Sequence, residues 1–331
     1  MRRRRFIGLI GGAAATWSLG AQAQNTNKTP KRIAFFPDLR QVALEYWQAD
    51  MRVLGWIEGQ DFIVLPSGIE AASRNPSSDD AQRVVANKPD LIFTASTNYA
   101  LAAQRVTGSI PIVMLTSGYP VEAGAVDSLA KPGRNVTGNT IYAETGVWGK
   151  LLQLLCEAKP DIRRVGILWT YVIPAFPKEE IEPGYAELKS AARSLNLELH
   201  IVEAANSDQV PAALAEIAEW KPEGLLLTSF LNNKARSVVA QFSVDKGLPT
   251  IADFDWSFTQ PCPLLCYGAI YRELVQNAVA SVDKILRGSS PGDLPIRRPS
   301  RFELIVSLKT AKAIGLDLSP VLVAQADRVI E

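Results

Sequence analysis

The sequence predicts an α/β protein built as two lobes, each a parallel sheet covered by helices. Three observations carry that prediction. Short apolar runs alternate with stretches of helical spacing from Arg32 onward, as in parallel sheets buried on both faces. The alternation pauses at Lys131-Pro132-Gly133-Arg134-Asn135-Val136-Thr137-Gly138-Asn139, where two glycines and a proline punctuate the backbone, and then restarts. The chain has 331 residues, enough for two moderate domains with ample core.

Arg32 to Phe36 is an apolar run of the buried-strand kind. Leu44, Trp47, Met51 and Leu54 recur at helical spacing and stop at Gly55, so Asp38 lies in a strand-to-helix loop, the edge where open parallel sheets bind ligands. Phe62 to Leu65 is a second strand, and Asp79 to Ala86 a helix ended by Asn87-Lys88-Pro89. Leu91 to Phe93 is the third strand. Ser96, Thr97 and Asn98 follow it at a helix start, where hydroxyls, an amide and backbone donors suit either a bound carboxylate or ordinary capping. Pro111 to Leu115 is the fourth strand, and Thr116-Ser117-Gly118-Tyr119 repeats that polar chemistry at the equivalent place. Val136 and Thr137 supply one short extended segment, read as the first crossing between lobes beside a ligand cleft, the alternative being a surface turn.

The second half repeats the architecture. Val147 to Leu155 reads as a helix, Val165 to Leu168 as a strand with Trp169-Thr170-Tyr171 at its carboxyl end, and Tyr185 to Leu195 as a helix. Leu197 to Val202 alternates like a strand and contains His200, read as structural. Leu214 to Trp220 is a helix, Gly224 to Leu227 a strand followed by Thr228 to Asn232, and Val238 to Phe242 a helix. Pro249 to Ala252 is a strand that runs into Asp253-Phe254-Asp255-Trp256. Leu264 to Tyr267 is a further strand, Tyr271 to Arg287 a long amphipathic helix, Gly288 to Pro295 a linker, Phe302 to Val306 a last strand and Lys309 to Ile314 a short helix. Two later crossings return the chain to the first lobe and back.

Hydrophobic residues are 47% of the chain and charged residues 21%, a globular composition. The net charge of +1 argues against nucleic acid as the main partner. A single histidine excludes mechanisms that need several. No G-x-S-x-G elbow, Walker loop or dinucleotide fingerprint appears, so no cofactor and no metal is expected.

The N-terminus has its own pattern. Arg2 to Arg5 are cationic, Phe6 to Leu19 apolar and uncharged, and Ala21-Gln22-Ala23 fits a small-x-small cleavage site. Residues 1–24 read as a signal peptide cleaved after about Ala23, with Arg3-Arg4-Arg5-Phe6-Ile7 of twin-arginine type. Its apolar part is short for a membrane span. Periplasmic export implies an oxidising compartment. There, Cys262 and Cys266 would close a disulfide only across a turn.

The loop edges are rich in aromatics: Tyr119, Trp169, Tyr171, Phe230, Phe254 and Trp256. Aromatics among small polar groups suit a small ligand with an apolar or aromatic body and a charged head. Ser96, Thr97, Asn98, Ser117 and Gly118 are assigned to a carboxylate, Tyr171, Phe230 and Trp256 to the body, and Asp253 or Asp255 to any ammonium group. Asp38 is added from its loop position. Two carboxylates also fit a hydrolase using Asp255, the less favoured reading.

Four stretches carry a family resemblance. They are Arg4-Arg5-Phe6-Ile7 with Gly11-Gly12-Ala13-Ala14-Ala15, Leu54-Gly55-Trp56-Ile57-Glu58-Gly59-Gln60, Ser128 to Gly138, and Phe302-Glu303-Leu304-Ile305-Val306-Ser307-Leu308-Lys309-Thr310-Ala311-Lys312-Ala313-Ile314-Gly315. Through them the chain resembles exported substrate-binding proteins of ABC transporters, in the tryptophan/tyrosine-type branch. The resemblance implies a type I periplasmic binding protein fold, two Rossmann-like lobes joined by a three-crossing hinge. Residues 31–139 plus 268–297 form lobe 1, and residues 140–267 plus 298–331 form lobe 2. It implies a monomer in the periplasm that binds an aromatic or apolar amino acid or carboxylic acid unchanged and delivers it to a membrane permease. The alternative is a sensing module for a membrane receptor. Trp169-Thr170-Tyr171 stands where this branch often carries an Asn-Pro-rich loop, and Cys262-Pro263 with Cys266 where many carry a Gly-Gly pair and a serine.

Overall fold

The structure, a computed structural model, describes residues 29–39, 41–69, 76–142, 146–170, 182–204, 206–228, 233–257 and 259–331. The N-terminal stretch read above as a signal peptide, Tyr171 and Phe230 lie outside the described residues.

The first half folds as β1 (Lys31–Phe36), α1 (Gln41–Val53), β2 (Phe62–Leu65), α2 (Ser78–Ala86), β3 (Leu91–Thr94), α3 (Thr97–Gln104), β4 (Ile112–Met114) and β5 (Val136–Gly138). Its five strands make one parallel sheet in the order β2-β1-β3-β4-β5. The continuous apolar run of β1 is explained by burial on both faces. Ile33 and Phe35 pack with Trp47 and Met51 of α1, while Ala34 and Phe36 pack with Ala81 and Val84 of α2. Ser77 and Asp80 form a reciprocal capping box at the start of α2, which satisfies two amides that a helix end otherwise leaves open. Ser77→Ala is expected to cost about 1 kcal/mol, read as a lower denaturant midpoint with unchanged slope.

The second half begins with α4 (Val147–Ala158), β6 (Arg164–Trp169), α5 (Glu182–Ser194), β7 (Glu198–Glu203), α6 (Val210–Glu219), β8 (Gly224–Leu227), α7 (Asn233–Asp245), β9 (Thr250–Ala252) and β10 (Leu265–Ala269). It continues through α8 (Tyr271–Leu286), β11 (Phe302–Ser307), α9 (Leu308–Ala313), α10 (Pro320–Gln325) and β12 (Arg328–Ile330). The second sheet runs β12-β11-β10-β9-β8-β6-β7. Its strands again divide their side chains by face: Val165 and Ile167 pack on one side, Leu168, Leu225 and Leu227 on the other.

One pairing departs from the parallel rule: β10 and β11 are antiparallel, with Leu265 opposite Val306. The chain leaves the second sheet after β10, adds α8 to the first lobe, and re-enters from the other end as β11. α8 is fastened to the first lobe by a two-pronged Arg272–Asp50 ion pair and by Trp56 Nε1 donating to Asp283 at 2.8 Å. α10 and β12, which the sequence did not predict, are short elements in which only Leu322 is buried.

Two of the three crossings are bonded to each other. Arg297 N donates to Gly138 O at 2.9 Å, and Thr140 N donates to Arg297 O at 2.9 Å. Between them Asn139 is fully buried, and its Nδ2 donates to Leu115 O at 2.9 Å and Leu274 O at 2.8 Å. The stretch that opened the second half in the sequence is therefore the edge strand β5 and the start of this hinge.

The three cysteines are free thiols. Cys262 and Cys266 are both buried, the Cys262 thiol donates to Pro263 O at 3.2 Å, and burial followed by the neighbouring Cys262 thiol pushes the Cys266 thiol well up.

Candidate functional site

The candidate site is assembled from the carboxyl ends of the strands of both lobes. In lobe 1, the loops after β3 and β4 are knitted together. Thr97 Oγ1 and Ser117 Oγ lie 2.8 Å apart, and Thr116 Oγ1 donates to Ala95 O at 2.7 Å. Thr97 and Ser117 are buried. Ser96 stands at the N-cap of α3 in extended conformation and makes no side-chain cap bond. It is also buried, and Asn98 is half-buried in the first turn. The first-turn amides of a helix lack intrahelical acceptors and favour an anion. Hydroxyls, an amide and helix amides converging at one strand edge make a neutral, donor-rich cradle suited to a carboxylate.

This cradle is tied to the hinge. Ile141 N donates to Ser117 O at 2.7 Å, and Thr140 Oγ1 donates to Gly118 O at 3.0 Å. Gly118 lies against the Tyr142 ring: an added Cβ would sit 3.4 Å from the ring edge, in ordinary contact.

Lobe 2 presents a matching edge. Thr170 and Thr228, at the ends of β6 and β8, are buried with hydroxyls 2.8 Å apart, and Thr170 N donates to Thr228 Oγ1 at 2.7 Å. Asp253 follows β9 and is 2% exposed, so its carboxylate is largely removed from bulk water. Tyr142 OH donates to Asp253 Oδ2 at 3.2 Å. Tyr142 thus stands between the two edges, its ring against Gly118 and its hydroxyl on Asp253. The backbone of Asp253 passes over β10 only because Gly268 is there: a Cβ would lie 2.4 Å from Asp253 O.

Aromatic rings line the same region in a continuous series. Tyr119–Tyr142, Tyr142–Trp148, Trp148–Trp169 and Trp169–Tyr185 have centroids 5.2, 5.4, 5.0 and 4.6 Å apart. Trp148 Nε1 donates to Tyr119 OH at 2.8 Å. Burial pushes the Tyr119 phenol well up, so that hydroxyl stays neutral throughout the physiological range.

The structure therefore brings Ser96, Thr97, Asn98, Ser117 and Gly118 to one edge and Asp253 to the facing one. Three other residues expected at the site are engaged elsewhere. The Asp38 carboxylate accepts from Ser67 N at 2.6 Å and Gly68 N at 3.0 Å, pinning the loop after β2. Asp255 accepts from Ser257 N at 2.8 Å and from Arg328 Nη1 at 3.0 Å, which turns it toward β12 and away from Asp253. Trp256 is fully buried in the core on the far face of the second sheet, under the Arg236 guanidinium 5.0 Å from its ring. A hydrolytic role for Asp255 would first require breaking the Arg328 pair.

Sequence reasoning missed Tyr142 and Trp148. The available signal was positional: both lie within ten residues after Gly138, where a chain passing between lobes must lie between the two strand edges. Among the described residues no group of three or more His, Cys, Asp or Glu side chains is placed to hold a metal ion. A depression of about 510 Å³ lined by Gln104, Arg105, Arg134 and Asn135 lies at the carboxyl end of α3, the opposite end of lobe 1.

Comparison with known proteins adds an independent observation. The family profile described as ABC transporter substrate binding protein matches residues 70–330. A tyrosine-binding protein of Clostridioides difficile is 29% identical over 236 residues, 71% of this chain and 66% of that protein, just under two thirds of its length. Two solved structures share the fold. A conserved domain protein from Vibrio cholerae superposes with a TM-score of 0.75 at 21% identity, covering 91% of this chain and 100% of that one. An ABC domain in complex with L-Trp from Streptococcus pneumonia superposes with a TM-score of 0.73 at 17% identity, covering 90% of this chain and 99% of that one.

Proposed function

We propose the following role for this chain, which belongs to the ABC transporter substrate binding protein family: it holds an aromatic or apolar amino acid or carboxylic acid between its lobes, unchanged, and delivers it to a membrane permease. The family binds small-molecule ligands and works with ABC permeases, and its members are typically exported. The observation that carries the reading is the facing of two unlike edges. The Ser96, Thr97, Ser117 and Gly118 cradle offers donors to a carboxylate, and Asp253 offers an anion to an ammonium group, with Tyr142 touching both sides. The Tyr119, Tyr142 and Trp148 rings provide an aromatic wall for the ligand's body. The named ligands of two similar proteins, tyrosine and L-Trp, support an aromatic amino acid as the first candidate.

Closing the lobes around the solute couples binding to docking, because a permease can discriminate between open and closed shapes. Export is supported by the Arg2–Arg5 run and the apolar Phe6–Leu19 segment, with cleavage after about Ala23 placing the mature chain in the periplasm as a monomer. Among the described residues, no helix is long and apolar enough to cross a membrane.

A thermal-shift screen of the mature chain against amino acids and aromatic acids tests the reading. Ligand at a hundredfold excess over Kd stabilises by about 2.7 kcal/mol, a rise in melting temperature of roughly 4 °C for a protein of this size. L-tyrosine or L-tryptophan is expected to give that rise and to be recovered intact. No rise across the whole panel, or chemical conversion of the ligand, refutes the proposed role.

A further inference from the structure

We propose that Tyr119 and Trp148 form a clasp between the lobes that stabilises the closed form before ligand arrives. They are then affinity-determining positioning residues, acting through closure and not through the ligand's own polar groups. The inference rests on the reading of the molecule as two lobes that close.

The two side chains belong to different bodies. Tyr119 follows β4 in lobe 1, where its carbonyl accepts from Ala123 N at 2.9 Å and so fixes its backbone. Trp148 lies in the first turn of α4, whose helix packs on α5, β8 and β9 of lobe 2. The indole is held in place from lobe 2. α4 starts at Gly146 with no side-chain cap of its own, and Glu187 of α5 serves instead. Glu187 Oε1 accepts from Gly146 N and Trp148 N, both at 2.8 Å, and from Gly149 N at 3.2 Å. A carboxylate there also meets the positive end of the helix dipole. The indole N–H is therefore a pre-positioned donor, and the Tyr119 hydroxyl is its acceptor across the gap.

A second observation marks the same spot. At Gly184 of α5 an added Cβ would lie 3.1 Å from Tyr119 OH, 3.1 Å from Trp148 Nε1 and 2.9 Å from the Trp169 ring. Lobe 2 has a bare backbone where the lobe 1 phenol approaches. Gly184 stands in the first turn of α5, where alanine would have the better helix propensity, and the close approach supplies a reason for glycine. The rings then carry the contact onward, from Tyr119 and Tyr142 to Trp148, Trp169 and Tyr185. Tyr185 is in turn anchored by donating to Glu203 Oε1 at 2.9 Å. Tyr119 thus joins one end of a packed aromatic series whose other end is bonded into the second sheet.

The bond exists only when the lobes are together. When they part, both groups regain water, so the bond shifts the open–closed equilibrium without being needed for folding of either lobe. Losing the phenol hydroxyl removes this bond from the closed form alone, a bias of up to roughly tenfold toward the open form.

The test uses the mature chain, stripped of ligand by unfolding in guanidinium and refolding. Small-angle scattering is recorded without ligand for the wild type, Tyr119→Phe and Gly184→Ala, and L-tyrosine and L-tryptophan titrations follow by calorimetry. The expected result is a larger radius of gyration for both variants than for the wild type. Affinity is expected to fall roughly tenfold for Tyr119→Phe, with a cooperative unfolding transition retained. Gly184→Ala raises local helix propensity, so expansion of that variant cannot be ascribed to a weakened helix. Identical ligand-free scattering from wild type and Tyr119→Phe overturns the clasp. The scattering arm contains no ligand, so it decides the clasp even where the proposed ligand class fails.

Discussion

Gly138→Ala is expected to lower stability by roughly 3–5 kcal/mol, the sum of a strained backbone and an overpacked contact. Gly138 has φ +140°, a region that side chains rarely adopt, and an added Cβ would lie 2.1 Å from Met114 O and 2.6 Å from Met114 N. Those atoms belong to the neighbouring strand, so nothing flexible can give way. The same residue accepts the Arg297 N–H, the bond that joins the first and third crossings. The damage falls on the edge of sheet 1 and on the hinge together. Equilibrium denaturation of the variant is the measurement, and a loss below about 1 kcal/mol would show that β5 can shift away from β4 freely.

Asp253→Asn is expected to weaken binding of L-tyrosine or L-tryptophan by about a hundredfold, because truncating one side of a buried charge pair typically costs 2–5 kcal/mol. Asparagine keeps the shape and can still accept from Tyr142, so only the charge is removed. The deaminated analogue, which carries a carboxylate and an aromatic body but no ammonium group, is expected to lose nothing or to gain. Calorimetric titration of both compounds against both proteins separates the cases. If the amino acid and its deaminated analogue lose affinity equally, Asp253 does not meet an ammonium group, and the lobe assignments in the proposed site must be exchanged or abandoned.

The fold could be read from the sequence because most strands, among them β1, β3, β4, β6, β8 and β9, are buried on both faces. Runs such as Ile33 to Phe36 and Leu225 to Leu227 are then continuously apolar, and the helices between them announce themselves by spacing. The antiparallel pairing of β10 with β11 was not legible, since direction depends on the route of α8 through the other lobe and not on local residues. α10 and β12 escaped because six- and three-residue elements with little burial leave no periodic trace.

The candidate site was readable in part, and for a definite reason. Ser96, Thr97 and Ser117 sit directly at strand ends, where topology alone dictates position. Asp253 and Asp255 have identical side chains two residues apart, and only Arg328, far along the chain, draws the second of them away. Tyr142 and Trp148 carry no motif, and their place in the site comes from the hinge geometry that brings the edges together.

The route of α8 has a consequence for synthesis. The first lobe is incomplete until residues 271–286 have been made, because that helix supplies the partner for Asp50 and Trp56 and the carbonyl that Asn139 grips. A nascent chain that has produced only its leading half cannot bury the α1 seam and must wait for most of the remaining polypeptide. Completion of the first lobe is thereby made late and concerted with the second.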